Sequence, residues 1–385
     1  MRKPKLQMTI ALMNHEGRKT TRRVSVALAT YNGEEFLSQQ LQSIAEQRLQ
    51  PYELVVTDDC SEDSTCGIVD AFAQEAPFPV RLHRNNTRLG YKSNFFRAIR
   101  LCRGDLIALS DQDDIWAPDK LVRAVEEFEA DHEVTVVGHT SAVVRTDLTK
   151  TGALFPQIKR RRVHAPGRFP VWGTQPGFTT MFSRLLVELA DPDARPVSLN
   201  PPVMNDPLMA HDDWVVFVGG ALGKIVQIPM PLALYRRHDI NTGGQFREVT
   251  VGTRLEQSLA MSQEATHYSG MASLAEQRAA YLLQIQPNQE QSSEAIETGL
   301  FRAQRAYQRT ASALNRRSNL YASTRSWRRI AQLFANAGRG DYRPRSRGGH
   351  GAASLAKDAF RTAGSPTLAA RVIRRFSAQV EREPH

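Results

Sequence analysis

The 385-residue chain is 41% hydrophobic and 23% charged, a globular balance, and no run approaches the roughly 18–20 consecutive apolar residues that a membrane span requires. Its formal charge of +10 is unevenly placed: residues 301–385 carry 18 Lys+Arg against 4 Asp+Glu, leaving 32 against 36 in the first 300, so any anionic partner belongs to the tail. Cys60, Cys66 and Cys102 show neither metal-ligand spacing nor a disulfide framework, and the Leu6–Met13 patch is too short and too polar for a secretory segment. A cytoplasmic chain is expected.

Residues 1–22 are basic and polar without a sustained period, and read as a loose extension. Val24 to Ala29 is an apolar strand, and Asn32 in the following turn is placed to cap a helix with Leu37, Leu41, Ile44 and Ala45 on its apolar face. Leu54 to Val56 is a second strand, Ile68, Val69 and Phe72 mark a second helix, and Val80 to His83 is a third strand. Phe95, Phe96 and Ile99 mark a third helix, which Gly104 is expected to stop with a left-handed cap. Leu106 to Leu109 reads as a strand buried on both faces that ends abruptly in Asp111, Asp113 and Asp114. A helix near Pro118 carries Leu121, Val122, Val125 and Phe128, and Val134 to His139 is the next strand. Gly219 to Gly223 reads as a turn, Ile225 to Pro231 as an edge strand, and residues 254–285 and 293–335 as helices. Residues 336–385 form a basic linker and a last helix with Leu368, Val372, Ile373 and Phe376.

Strands alternating with helices imply right-handed crossovers and an α/β fold with an open, mostly parallel sheet flanked by helices. Loops after several strands then converge on one edge, which collects Tyr31, Asp58, Asp59, Asp111, Asp113 and Asp114. Three carboxylates within four residues repel one another, so they either stay solvated or are neutralised by a hard cation. Mg²⁺ or Mn²⁺ bridging to a diphosphate suits such a strand end, while the plainer reading is an acidic loop in which Asp114 or Asp119 starts the next helix. The stretch Ala29 to Glu34 has one glycine where a dinucleotide fold has three, and there is no P-loop, so both of those classes are excluded.

Four ordered strings carry a more specific signal: Val24 to Gly33, Asp58-Asp59-Cys60-Ser61 and its continuation to Thr65, Leu109-Ser110-Asp111-Gln112-Asp113-Asp114 and its continuation to Leu121, and His211-Asp212-Asp213-Trp214. With these the chain resembles the family 2 glycosyltransferases of GT-A fold, in particular their bacterial rhamnosyltransferase-like branch, over about residues 22–245. The resemblance implies an inverting, metal-dependent transfer of a sugar, rhamnose as the first guess, from a nucleoside diphosphate sugar to a saccharide or lipid-linked saccharide acceptor. It places Ala29 and Tyr31 beside the nucleotide base, Asp59 on a base N–H, and Asp111 and Asp113 on the metal, Mn²⁺ or Mg²⁺, with Asp111 also facing the donor. Asp114 is implied to help through water. Asp212, with Asp213 in reserve, is the implied general base. In the Leu234 to Asn241 element, His238 is implied to touch the metal or a phosphate and Arg236 or Arg237 to pair with phosphate oxygens. Gln175 to Thr179 matches a family turn lining the sugar and acceptor pocket.

The expected organisation is a flexible extension (1–22), a GT-A domain (23–250), a basic helical extension (251–335) and a basic tail (336–385). Basic amphipathic helices suit an anionic membrane surface at the cytoplasmic face, and equally suit helices packed on the catalytic domain with solvated arginines. The basic run Lys159 to Arg162 reads as a solvated or phosphate-facing loop. Two rival readings are a sugar-nucleotide nucleotidyltransferase, which the missing Gly-rich triphosphate loop argues against, and a non-enzymatic protein that grips nucleic acid through its tail, which the acidic body argues against.

Overall fold

The computed structural model describes residues 22–198, 206–238, 265–323 and 326–342, and the isolated positions 354, 355, 358, 359 and 362. The expected N-terminal extension, the first part of the 254–285 helix and the last helix from Leu368 to Phe376 lie outside the described residues.

The elements are β1 (Val24–Thr30), α1 (Leu37–Ala45), β2 (Glu53–Asp58), α2 (Thr65–Glu75), β3 (Val80–Arg84), α3 (Tyr91–Leu101), β4 (Leu106–Ser110), β5 (Ile115–Trp116), α4 (Lys120–Ala130), β6 (Val134–Arg145), β7 (Lys150–Phe155), β8 (Arg162–His164), β9 (Thr180–Ser183), α5 (Leu185–Leu189), α6 (His211–Leu222), β10 (Lys224–Arg237), α7 (Ala265–Gln284), α8 (Glu294–Ala322) and α9 (Ser326–Gly338). They divide into two compact units, one of residues 1–163, 175–188 and 226–238, the other of residues 164–174, 189–225 and 239–385.

The first unit is built on one sheet in the order β3-β2-β1-β4-β9-β6-β10-β5, with β7 on β6 and β8 on β10. Its first four strands are parallel because helices carry the chain back between them, and β9 then joins β4 antiparallel, with β6 antiparallel to β9. The central strands are apolar throughout: Val26, Leu28, Leu54, Val56, Leu106 and Ala108 are fully buried, and Leu37, Leu41 and Ile44 of α1 pack into the same core with Phe128 of α4. Each of the Val, Leu, Ile and Phe side chains contributes about 1.5–3 kcal/mol when removed from water, and the parallel pairing sets the carboxyl ends of β1, β2 and β4 side by side.

Five local expectations are corrected. Asn32 does not cap α1; it sits at φ 45° and its Oδ1 accepts the Glu62 amide at 3.0 Å, while the helix starts after Phe36 with no side-chain cap. Gly104 is not a left-handed cap, since α3 ends in extended backbone at Cys102; it is glycine because a Cβ there would lie 2.7 Å from the Arg23 carbonyl and the Ser25 amide. Gly219 to Leu222 is not a turn but the last turn of α6, and β10 is an internal strand between β6 and β5. The helix expected over 293–335 is two helices, because the chain turns extended at Ser323.

In the second unit α7 and α8 pack on each other. Tyr268, Ala272, Ala275, Ala279 and Leu282 form the buried stripe of α7, and Ile296, Gly299, Ala303, Tyr307, Ala311 and Leu314 that of α8, at the three- and four-residue spacing of one helical face. Ser293 caps α8, its Oγ accepting the Ile296 amide at 3.3 Å. The wholly buried Trp214 of α6 donates from Nε1 to the Tyr281 hydroxyl at 3.0 Å, and that hydroxyl donates to the Asp191 carbonyl at 2.6 Å.

Candidate functional site

The carboxyl end of β4 delivers three acids to one place. Oxygens of Asp111, Asp113 and Asp114 all lie within 4.8 Å of one another, with Asp111 and Asp113 half-buried and Asp114 wholly buried. Oδ1 of Asp114 accepts the Arg236 amide at 3.2 Å, whereas its buried Oδ2 has no hydrogen-bond partner among the described residues. Burial pushes this carboxyl well above the ordinary range and the Asp113 and Asp111 charges push it further, against the Arg236 amide and the Lys120 ammonium. The plainer reading of a solvated acidic loop therefore fails for Asp114, and Asp119 starts α4 without a side-chain cap bond. An orphaned buried oxygen beside two further carboxylates is an all-oxygen, hard donor set, and these residues fit a divalent cation of the Mg²⁺ or Mn²⁺ kind.

The end of β10 closes on the same loop. His238 sets Nε2 at 2.7 Å from Oδ2 of Asp113 and stacks on Phe36 with ring centroids 4.9 Å apart. Arg236 is buried, donating from Nε to the Asp113 carbonyl at 2.9 Å, from Nη1 to the Thr146 carbonyl at 2.7 Å and from Nη2 to Gln39. All three of its nitrogens hold the protein together, whereas Arg237 beside it is half-buried. Lys120 is also buried, its Nζ donating to the Phe178 carbonyl at 2.6 Å and lying 3.6 Å from the Trp116 ring centroid. The Gln175 to Thr179 turn that carries this carbonyl is itself buried, with Gln175 donating to the His139 carbonyl and to Thr179. It is a packing element supporting the acid strand.

The ends of β1 and β2 form the other side of the site. Gln112, between the two ligand-type acids, accepts the Tyr31 amide at 2.8 Å and donates to the Tyr31 carbonyl at 3.0 Å. Gly33 admits it: a Cβ there would lie 2.5 Å from Gln112 Oε1. The Arg88 guanidinium lies 3.8 Å over the Tyr31 ring. Asp58 receives the Thr30 and Ser61 hydroxyls and the Ser61 amide, tying the β1 and β2 ends. Asp59 is 2% exposed and pins the loop before α3, taking Asn85 Nδ2 and the Leu89 amide on Oδ1 and the Gly90 amide on Oδ2. A carboxylate has about four lone-pair sites, so one on Oδ2 is left. Ala29, beside Thr57 in the β1–β2 register, is half-buried.

Gln112, Arg88, Asn85 and Asn94 are site residues that sequence reasoning missed. Asn94 donates to the Thr57 carbonyl at 2.9 Å and accepts from Asn85 at 3.0 Å. The available signal was a polar residue breaking an apolar helical face, Asn94 beside Phe95 and Phe96, and an amide set between two acids. Of the basic run, Arg161 is paired with Glu127 at 2.6 Å.

Asp212 and Asp213 belong to the second unit, in the first turn of α6, where acids are favoured by the helix dipole. Asp212 Oδ1 accepts the Asp213 amide at 2.9 Å, and Asp213 lines a cavity of that unit together with Phe217, Arg278 and Tyr307.

Residues 25–188 match the family model described as glycosyl transferase family 2. Fold and acids agree with that match: over residues 25–188 the chain is similar to the family 2 glycosyltransferases. Among curated relatives, the uncharacterized protein Rv1520 of Mycobacterium tuberculosis is 28% identical over 227 residues, 56% of this chain and 59% of the relative. The dTDP-rhamnosyl transferase RfbG of Shigella flexneri is 37% identical over 103 residues, 26% of this chain and 36% of the relative. The chain thus spans less than two thirds of the length of these relatives. Among solved structures, Staphylococcus aureus TarS 1–349 in complex with UDP-GlcNAc aligns at 17% identity over 94% of this chain and 93% of that one, with a TM-score of 0.49.

Proposed function

We propose that this protein is an inverting, divalent-metal-dependent glycosyltransferase that moves a sugar, rhamnose in the first instance, from a nucleoside diphosphate sugar to a saccharide or lipid-linked saccharide. The observation that carries the reading is the meeting of Asp111, Asp113 and Asp114 at the end of β4, with one buried carboxylate oxygen unpartnered. Asp111, Asp113 and His238 hold the cation, which when bound offsets the charge growing on the departing diphosphate. Tyr31 and Ala29 flank the base, the remaining lone pair of Asp59 takes its N–H, and Arg237 pairs with phosphate oxygens. Asp212 is the general base on the acceptor side, with Asp213 as the alternative; a carboxylate with a reference pKa near ~4 is already ionised at neutral pH and accepts the acceptor proton as the new bond forms. The printed name of RfbG supports rhamnose and a thymidine diphosphate donor.

Peripheral attachment to an anionic membrane at the cytoplasmic face is part of this reading. It is supported by the outer face of α8, where Phe301 is 57% exposed beside the exposed Arg302, Arg305 and Arg309. Sedimentation with anionic and with neutral vesicles tests it, and equal binding to both would exclude an electrostatic anchor.

The decisive experiment titrates the chain calorimetrically with UDP, dTDP and GDP, each with Mn²⁺ and with excess chelator. Metal-dependent binding of one nucleotide is expected. A folded chain that binds none of them refutes the diphosphate site.

A further inference from the structure

Arg278 is an unusual core residue. It is 5% exposed on α7, yet among the described residues no carboxylate lies within salt-bridge distance of it. Its guanidinium lies 4.8 Å from the Trp172 ring centroid, 5.6 Å from that of Phe217 and 5.8 Å from that of Tyr307. Among the described residues its only hydrogen bonds come from Nη1, both long, to the Val171 carbonyl at 3.3 Å and to the Tyr307 hydroxyl at 3.5 Å. Nε has no partner, and Nη2 donates to nothing among the described residues. Nε and Nη2 form the side-on edge of a guanidinium, the two parallel donors that match a pair of anionic oxygens.

A buried cation with no carboxylate at salt-bridge distance is destabilised, and aromatic faces or a more distant acid such as Asp213 offset only part of that. Arg278 lines a cavity of about 100 Å³ whose wall also includes Trp172, Asp213, Phe217 and Tyr307. That is well below the ~300 Å³ where pockets for whole small molecules begin. The cavity thus suits one functional group. It lies in the second unit, and α7 and α8 are outside the residues matched by the family model.

We propose that this cavity receives one anionic group, the paired oxygens of a carboxylate or a phosphate, carried by the saccharide acceptor. Assignment to the acceptor rests on the glycosyl-transfer reading, through the presence of Asp213 in the same wall; the anion preference rests on Arg278 alone. No bond is made or broken at this place. The guanidinium gains an anionic partner at hydrogen-bond distance, which neutral saccharides do not supply.

The test titrates the full chain at fixed ionic strength with glucuronate, glucose 6-phosphate and glucose, using the wild type, Arg278→Lys and Arg278→Met. At least one anionic sugar binds the wild type, glucose at least tenfold more weakly. Arg278→Lys keeps the charge but lacks the two-donor edge, and weakens binding tenfold or more; Arg278→Met abolishes it. Binding of glucuronate alone identifies a carboxylate, and of glucose 6-phosphate alone a phosphate. No binding of either anion, glucose binding equally well, or an unchanged affinity in a folded Arg278→Lys overturns the proposal. UDP, dTDP and GDP are titrated on the same samples: nucleotide binding without anion binding defeats this inference alone, while anion binding without nucleotide binding keeps the anion site and removes its assignment to an acceptor.

Discussion

His238 Nε2 and Asp113 Oδ2 stand 2.7 Å apart, joining the end of β10 to the acid loop after β4. The stacked Phe36 ring fixes the imidazole in that position. His238→Ala is therefore expected to weaken Mn²⁺-dependent nucleotide binding by about 10–100-fold, the range seen when a group that ligates or orients at a metal is removed. Titration of the variant with nucleotide and Mn²⁺ checks this, and unchanged affinity would take His238 out of the site.

Asp114 is held at a loss to the fold. Its Oδ2 is buried without a partner beside two like charges. In Asp114→Asn the orphaned acceptor becomes a donor facing carboxylates, and stability in the presence of chelator should rise by about 1–3 kcal/mol, the usual size of an unsatisfied buried group. Metal-dependent nucleotide binding should fall in the same variant. Urea unfolding with chelator and calorimetry read the two effects separately, and a destabilised variant contradicts the account.

Arg236→Lys should lower stability by about 2–4 kcal/mol. The guanidinium reaches the Asp113 and Thr146 carbonyls and Gln39 at once, and an ammonium at the end of a flexible stem cannot satisfy all three. Thermal and urea unfolding check this, and a loss within measurement error would mean that the acid loop is held by other contacts.

His211 makes the second unit acid-sensitive. Burial, with the Arg195 charge adding to it, pushes this imidazole down to about 3. A histidine that stays neutral when folded but takes a proton when unfolded stabilises the fold above its unfolded pKa of ~6.5. That stability is lost as pH falls from there towards the folded value, by about 1.4 kcal/mol per pH unit. His139, also buried and shifted down, adds a second slope of the same sign. Urea unfolding between pH 7 and pH 4.5 should show His211→Asn losing about one proton's worth of the wild-type slope; an unchanged slope excludes His211 as the source.

Residues 24–109 were legible because the strands are short apolar runs and the helices carry clear apolar faces, as in Leu106 to Leu109 and in Leu37, Leu41 and Ile44. The acids were legible as a cluster because strand order brings them to one edge. What escaped were second partners chosen by tertiary packing: that Arg236 is structural, that Gln112 rather than Asn32 organises the first loop, and that Asp59 already holds three donors. Gly219 and Gly220 suggested a turn because glycine disfavours helix interiors, but burial of Trp214, Val215 and Val218 on the same helix outweighs that propensity.

Arg88 lying over Tyr31 makes arrival at that ring an exchange. A planar guest reaching that side of the tyrosine must first evict the guanidinium, so its measured affinity is the difference between two stackings, and neutralising Arg88 by substitution would alter it without touching the guest. The exposed arginine then swings free with its charge uncommitted, and a guest that brings its own negative charge can re-employ it. A bare nucleoside, with no such charge to offer, would meet the eviction penalty without that return.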